Sequence, residues 1–166
     1  DAKPPVDAFG LVMTNSAIYA DHCMPSPNYK TCLDVIEKLP VATEQGVGSG
    51  LLVKAKTKTI FLTAAHVCEY KNNDVYEASG IKIKLRIVNT IKIRPYTGEE
   101  INAKILKIDH KNDLCALSID KLFTAPVVWS NLEPVVGDPV YAISAPHGIN
   151  SPTMNLIFSG YYSGFI

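Results

Sequence analysis

Residues 81–94 read Ile81-Lys-Ile-Lys-Leu-Arg-Ile87-Val-Asn-Thr-Ile91-Lys-Ile-Arg94, and this stretch decides the class of fold. Apolar side chains alternate with basic ones, first from Ile81 to Ile87 and again from Ile91 to Arg94. Successive side chains of a β-strand point to opposite faces, so this alternation predicts half-buried strands. The basic side chains would then form the solvated face of a hairpin.

Similar short runs recur along the rest of the chain, bounded by the turn-forming residues Gly, Pro, Asn and Asp. The further strands predicted in this way are Phe9–Tyr19, Gly48–Ala55, Thr59–Leu62, Ile101–Ile108, Leu114–Ile119, Val140–Ser144 and Met154–Tyr162. Helical periodicity is weak, and short helices are predicted only near Ala64–Val67 and Cys32–Leu39. Many short strands at this spacing favour an all-β sandwich or barrel.

The composition fits a compact domain and excludes several other classes of protein. Of the 166 residues, 47% are apolar and 19% are charged, which is typical of globular domains and not of disordered chains. The 16 basic and 16 acidic residues cancel, so no overall field favours nucleic acid. The longest uncharged apolar runs, such as Pro139–Ala145, are too short for a membrane span. We therefore expect neither a nucleic-acid partner nor a membrane-spanning segment.

Two segments carry residues suited to catalysis. In Phe61-Leu-Thr-Ala-Ala-His66-Val-Cys68 a β run leads through small residues to a histidine, the side chain best suited to general-base chemistry near neutral pH. In Asn112-Asp113-Leu-Cys-Ala-Leu-Ser-Ile119 an aspartate opens a strand, where it can accept a hydrogen bond from an imidazole N–H. Taken singly, each segment also fits a structural role, namely a half-buried histidine at a strand end and an ordinary Asn-Asp turn.

The two segments are more specific together, because a glycine-rich strand, Gly46-Val-Gly-Ser-Gly50, precedes the histidine. In this order they resemble the trypsin/chymotrypsin-like serine proteases, and especially the HtrA-like and bacterial glutamyl-endopeptidase branches. Gly48–Val53 resembles the strand that precedes the family's catalytic histidine. Gly137–Gly148, followed by Phe158–Gly164, resembles the start of the family's second barrel. The resemblance covers about residues 46–166, and Ser49, which lies upstream of His66, is interpreted as structural.

The resemblance implies an all-β fold, the chymotrypsin-like double β-barrel, with the first barrel present together with the start of the second. The implied divisions are 1–45, an N-terminal strand with a Cys/Pro-rich loop; 46–120, the first barrel; 121–136, an inter-barrel linker; and 137–166, an incomplete second barrel. Two strands cannot bury their apolar faces unaided, so residues 137–166 are expected to need a further segment.

The resemblance also implies an activity, that of a trypsin-like serine endopeptidase acting through an acyl-enzyme. His66 would be the general base and Asp113 the acid that orients it. No Gly-x-Ser-Gly-Gly-like turn follows these segments, so no nucleophile is assigned in this chain, and the chain alone is expected to be inactive. The resemblance implies a serine nucleophile in a further segment, and the alternative is a cysteine, which viral relatives of the fold use. The expected partners are a polypeptide substrate and a C-terminal fragment that completes the second barrel, with no cofactor and no metal.

The alternative is a protease-like domain that does not catalyse a reaction and serves as a binding or assembly module, for example in a virion or a secreted complex. Such a module has no physical need for both His66 and Asp113, which favours the enzyme. We expect an extracellular, periplasmic or virion-associated location.

The four cysteines allow more than one arrangement. Cys23 and Cys32 flank a proline-rich loop and form either a disulfide or two free thiols, because the redox compartment is not known. Cys68 and Cys115 each lie two positions after a candidate catalytic residue. Here we expect buried thiols rather than a bridge.

The other three histidines have simpler interpretations. His22 and His110 each follow an aspartate, but two such pairs far apart in the chain make a poor metal site. His147 follows a proline and is expected to be an exposed turn residue.

Overall fold

The computed structural model describes residues 4–69, 74–144 and 156–165 of the chain. The strands are β1 Phe9–Cys23, β2 Ala42–Ala55, β3 Lys58–Thr63, β4 Val75–Ala78, β5 Ile81–Pro95, β6 Ile101–Asp109, β7 Leu114–Ile119, β8 Val127–Val128, β9 Pro139–Ser144 and β10 Leu156–Tyr161. The helices are α1 Tyr29–Val35 and α2 Ala65–Cys68, with 3-10 turns at Val6–Ala8 and Ile36–Lys38. Strands dominate, so the prediction of an all-β fold is confirmed.

Six strands close into a barrel. They are hydrogen-bonded neighbours in the order β1, β2, β3, β7, β6 and β5, and β5 also pairs with β1. Closure removes the free edges that an open sheet would expose. β4 lies beside β5, while β9 and β10 form a separate antiparallel pair. The barrel confirms the chymotrypsin-like architecture that the resemblance implied.

The chain divides into two compact units, each with its own core. The first unit comprises Asp1–Met13, Val47–Cys68 and Ile91–Ile166. Its largest fully buried apolar side chains are Val12, Leu52, Phe61, Ile93 and Leu117. The second unit comprises Thr14–Gly46 and Glu69–Thr90. Its buried cluster consists of Cys23, Cys32 and Ile83, against which Ala20, Ile36, Ile81 and Leu85 pack.

β5 is one continuous strand, so the expected hairpin within residues 81–94 is wrong. The Ser16 hydroxyl donates to Asn89 Oδ1 at 2.6 Å, and the Thr90 hydroxyl donates to the Asn15 carbonyl at 3.3 Å. These bonds tie the polar middle of β5 to β1, where a hairpin would have turned. The apolar alternation on either side therefore belongs to a single strand.

Several other elements differ from the prediction. β1 lies within residues 1–45, which the sequence groups as a leading segment, yet its pairing with β2 and β5 makes it part of the barrel. β8 lies within the predicted linker 121–136 and pairs in parallel with β2, Val53 opposite Val127. The predicted strand Met154–Tyr162 begins outside the described residues, and its described part is β10.

Gly50 marks a very close approach in the core of the first unit. A Cβ atom at this position would lie 2.1 Å from Phe61 Cε1 and 2.8 Å from the carbonyl oxygen of Leu62. The Phe61 ring is fully buried and the Leu62 oxygen belongs to the backbone, so neither can move away easily. Position 50 therefore requires a glycine.

Gly50→Ala is expected to lower the free energy of unfolding by about 1–3 kcal/mol, since the added methyl group overpacks a filled core. Gly160→Ala in β10 is the matched control, because a Cβ atom there would meet nothing within 4 Å. Urea unfolding of the two variants measures the difference. Equal midpoints for both variants would contradict the packing described for Gly50.

Candidate active site

Two neighbouring strands bring His66 and Asp113 to the same end of the barrel. β3 and β7 are antiparallel, and their ladder ends with Thr63 opposite Cys115. His66 follows β3 in the short helix α2, and Asp113 directly precedes the first residue of β7. Because antiparallel strands run in opposite directions, the end of one lies beside the start of the other.

Asp113 accepts two hydrogen bonds from His66. The ring nitrogen Nδ1 lies 2.6 Å from Oδ2, and the backbone N–H donates to Oδ1 at 3.0 Å. With Nδ1–H donating to the carboxylate, Nε2 of the neutral ring is left as the proton acceptor. The His66 side chain is 59% exposed and that of Asp113 is 53% exposed, so the pair faces solvent.

The turn between β6 and β7 fixes the position of Asp113. Its φ of 55° lies in the left-handed region, which aspartate tolerates better than most residues. The carboxylate of Asp109 closes this turn by accepting two bonds from Asn112, from its backbone N–H at 3.1 Å and from Nδ2 at 2.7 Å. The Asn112 side-chain amide beside it lowers the pKa of Asp109.

The Gly-Ser-Gly segment of β2 supports the helix that carries His66. A Cβ atom on Gly48 would lie 2.6 Å from Cγ2 of Val67, so a larger residue would push α2 away from β2. Next to it, the Ser49 carbonyl accepts a hydrogen bond from the Thr63 hydroxyl at 2.8 Å. Gly48 thus allows β2 to pack closely against Val67, the residue that follows His66.

Cys68 and Cys115 form a disulfide, so the expectation of free thiols at these positions is wrong. Both residues are fully buried, and their Cα atoms are 6.6 Å apart, within the range that a bridge can span. The expectation failed because the burial of a thiol does not reveal whether another thiol lies beside it. The bridge links the helix that carries His66 to the strand that follows Asp113.

Cys23 and Cys32 form a second disulfide in the other unit, with Cα atoms 6.1 Å apart. All four cysteines of the chain are therefore paired. No thiol of this chain is left to serve as a nucleophile.

Of the remaining histidines, His22 lies in β1 and His110 directly follows β6. His22 is exposed and contacts the adjacent Asp21, with Nδ1 and Oδ2 2.9 Å apart. The described residues contain no group of three or more His, Cys, Asp or Glu side chains arranged to hold a metal ion. His147 lies outside the described residues, as does the end of the Gly137–Gly148 segment.

Comparison with known proteins assigns the chain to a family. The model of the trypsin-like peptidase domain matches residues 48–165, well over half of the chain and including both His66 and Asp113. The chain belongs to the family of trypsin-like peptidase domains. A search of curated proteins returns no match.

Solved structures support the same fold, with 168 matching chains. One of them is the HtrA-type protease AlgW with a decapeptide, which is 20% identical to this chain with a TM-score of 0.56. The alignment covers 95% of this chain and 42% of that protease. At this level of identity the likeness extends to the fold. Within the described residues, no helix is both long enough and apolar enough to cross a membrane.

Asn112→Ala is expected to raise the pKa of Asp109 toward its ordinary value of 3.8, because the side-chain amide no longer stabilises the carboxylate. A carboxyl whose pKa is depressed by folding stabilises the protein above its unfolded pKa, and this contribution is lost as the pH falls through the folded pKa. The variant should therefore lose less stability than the parent in the acid range below about pH 4.

Carboxyl-carbon NMR titration measures this change. Asp74 serves as an internal control, because a hydrogen bond from Lys84 lowers its pKa independently of Asn112. An unchanged Asp109 pKa in the variant would refute the role given to the Asn112 amide.

Proposed function

We propose that this chain is the N-terminal portion of a trypsin-like serine endopeptidase, with His66 as its general base and Asp113 as the residue that orients the base. The observation that carries the proposal is the hydrogen bond of 2.6 Å between Nδ1 and Oδ2. The pair lies within residues 48–165, which match the trypsin-like peptidase domain.

The arrangement suits acyl transfer to water. Nε2 of His66 takes the proton from a serine hydroxyl as its oxygen attacks the peptide carbonyl, and the imidazolium then gives this proton to the leaving amine. Water hydrolyses the acyl-enzyme by the same sequence of proton transfers. Throughout, the Asp113 carboxylate holds Nδ1–H and stabilises the charged ring.

The nucleophile in this proposal is a serine supplied from outside residues 1–166. The disulfides leave no cysteine available, and among the described residues the His66 ring hydrogen-bonds Asp113 and no serine. The aspartate of a catalytic triad is ordinarily buried, whereas Asp113 is more than half exposed. A covering segment would exclude water from the pair and strengthen its electrostatic interaction. The chain alone is therefore expected to be inactive.

An apolar cavity of about 320 Å³ is a binding site for part of that covering segment. Its walls include Leu51 and Leu62, on the strands that lead to His66, together with Tyr141 and Ile143 of β9. Beside this cavity, the β9–β10 pair exposes large apolar side chains, including Phe158 and Tyr161. Exposed apolar surface of this kind is typical of an interface. We assign it to the C-terminal fragment that completes the second barrel.

A polypeptide is the proposed substrate. The HtrA-type protease that shares the fold was solved with a decapeptide, which supports this class of substrate. The closer kinship to HtrA-like or glutamyl-endopeptidase enzymes, and the division of the chain at 46–120, 121–136 and 137–166, remain predictions.

A fluorophosphonate probe is expected to label a serine that lies outside residues 1–166 of the purified protein. Denaturing intact-mass analysis and peptide mapping identify the labelled polypeptide. A label on a serine within this chain would overturn the assignment of the nucleophile. If no serine in any polypeptide of the purified protein takes the label, the binding or assembly module is favoured instead.

His66→Ala is expected to lower kcat of the completed enzyme by about 10⁴-fold or more, since both proton transfers lose their carrier. The matched control is His22→Ala, because His22 is also an exposed histidine beside an aspartate. It should leave kcat unchanged. Steady-state peptide hydrolysis measures both variants, and full activity of His66→Ala would eliminate the mechanism.

A further inference from the structure

We propose that the Cys68–Cys115 disulfide is a positioning element that holds His66 and Asp113 in register. This inference rests on the proposed function, because it concerns how the base and its orienting acid are kept together. It assigns to two cysteines a role beyond the stability of the fold.

The disulfide and the proposed catalytic pair both link α2 to the start of β7. His66 and Asp113 are separated by 47 residues, and so are Cys68 and Cys115. Each cysteine thus follows its catalytic residue by two positions. One cross-link is covalent and buried, while the other is a hydrogen-bonded contact at the surface.

The exposed contact between His66 and Asp113 does little to hold the two side chains in place. Both side chains are more than half exposed, so water competes for the hydrogen bond between them. An exposed histidine–carboxylate contact of this kind stabilises a particular geometry only weakly. The position of the two groups must therefore come from the segments that carry them.

The segment that carries His66 also depends on external support. α2 has four residues, too few to be stable as an isolated helix. The β3–β7 ladder ends with Thr63 opposite Cys115, before α2 begins. Beyond this point, the bridge from Cys68 is the covalent tie between α2 and β7, and the packing of Val67 against Gly48 supports the helix from below.

Opening the bridge would let α2 and the Asp113 turn separate while the ladder remains. Nδ1 of His66 would then lose its acceptor for part of the time. The neutral ring would no longer be held as the Nδ1–H tautomer, so Nε2 would cease to be a fixed proton acceptor.

The test measures the His66 tautomer by ¹⁵N NMR in the purified protein, with labelled histidine. The test variant is Cys68→Ala/Cys115→Ala, and the matched control is Cys23→Ala/Cys32→Ala, which removes the other disulfide. The Nδ1–H tautomer of His66 is expected to be lost in the test variant and retained in the control. Retention in both folded variants would overturn the proposal, as would equal loss in both.

A variant that fails to fold does not end the test. The parent chain is then reduced stepwise with a phosphine under native conditions, alkylated and mapped by mass spectrometry. Folded species with only the Cys68–Cys115 bond open should lose the tautomer, and species with only the Cys23–Cys32 bond open should keep it. The opposite result, or no folded species with an altered tautomer, would reject the positioning role.

Asp113→Asn separates the failure of this inference from the failure of the proposed function. If the parent chain shows no Nδ1–H tautomer that depends on Asp113, the catalytic pair itself is refuted, and the positioning role with it. If the parent depends on Asp113 but the disulfide variants do not alter the tautomer, only the positioning role fails.

Discussion

The register that sets Thr63 opposite Cys115 is the constraint on which the rest of the site depends. A shift of one residue along β3 or β7 would turn each side chain of that strand to the opposite face. It would remove Phe61 (for β3) or Leu117 (for β7) from the core and separate His66 from Asp113. The fold and the candidate site therefore share one determinant, and the buried faces of these two strands enforce both.

Magnitudes indicate which interactions hold this end of the barrel together. Closing a loop with the sequence separation of Cys68 and Cys115, 47 residues, stabilises the folded state by about 4 kcal/mol on chain-entropy grounds. An exposed side-chain hydrogen bond of the kind formed by His66 and Asp113 contributes about 1 kcal/mol or less. The candidate catalytic pair is thus a consequence of the surrounding structure and contributes little to maintaining it.

The sequence predicts much of this protein because its strands alternate clearly and its motifs are local. The alternation of Ile81–Ile87 predicts strands. The order of the Gly-Ser-Gly, histidine and aspartate segments then predicts the barrel and the pair His66 and Asp113. The continuity of β5 and the Cys68–Cys115 bridge could not be predicted from local patterns, because both depend on contacts with residues distant in the chain. One signal for the bridge was present: the cysteines share the separation of His66 and Asp113.

The left-handed backbone at Asp113 has a consequence for how this chain can change over generations. Glycine adopts such a conformation without strain, and asparagine adopts it readily, so selection for a stable fold alone would accept either at this position. Neither supplies a negative charge to an imidazolium. Under the proposed function, stability and proton transfer therefore favour different residues at position 113. A descendant that no longer needed catalysis would lose no stability on replacing the aspartate, and its barrel would stay intact.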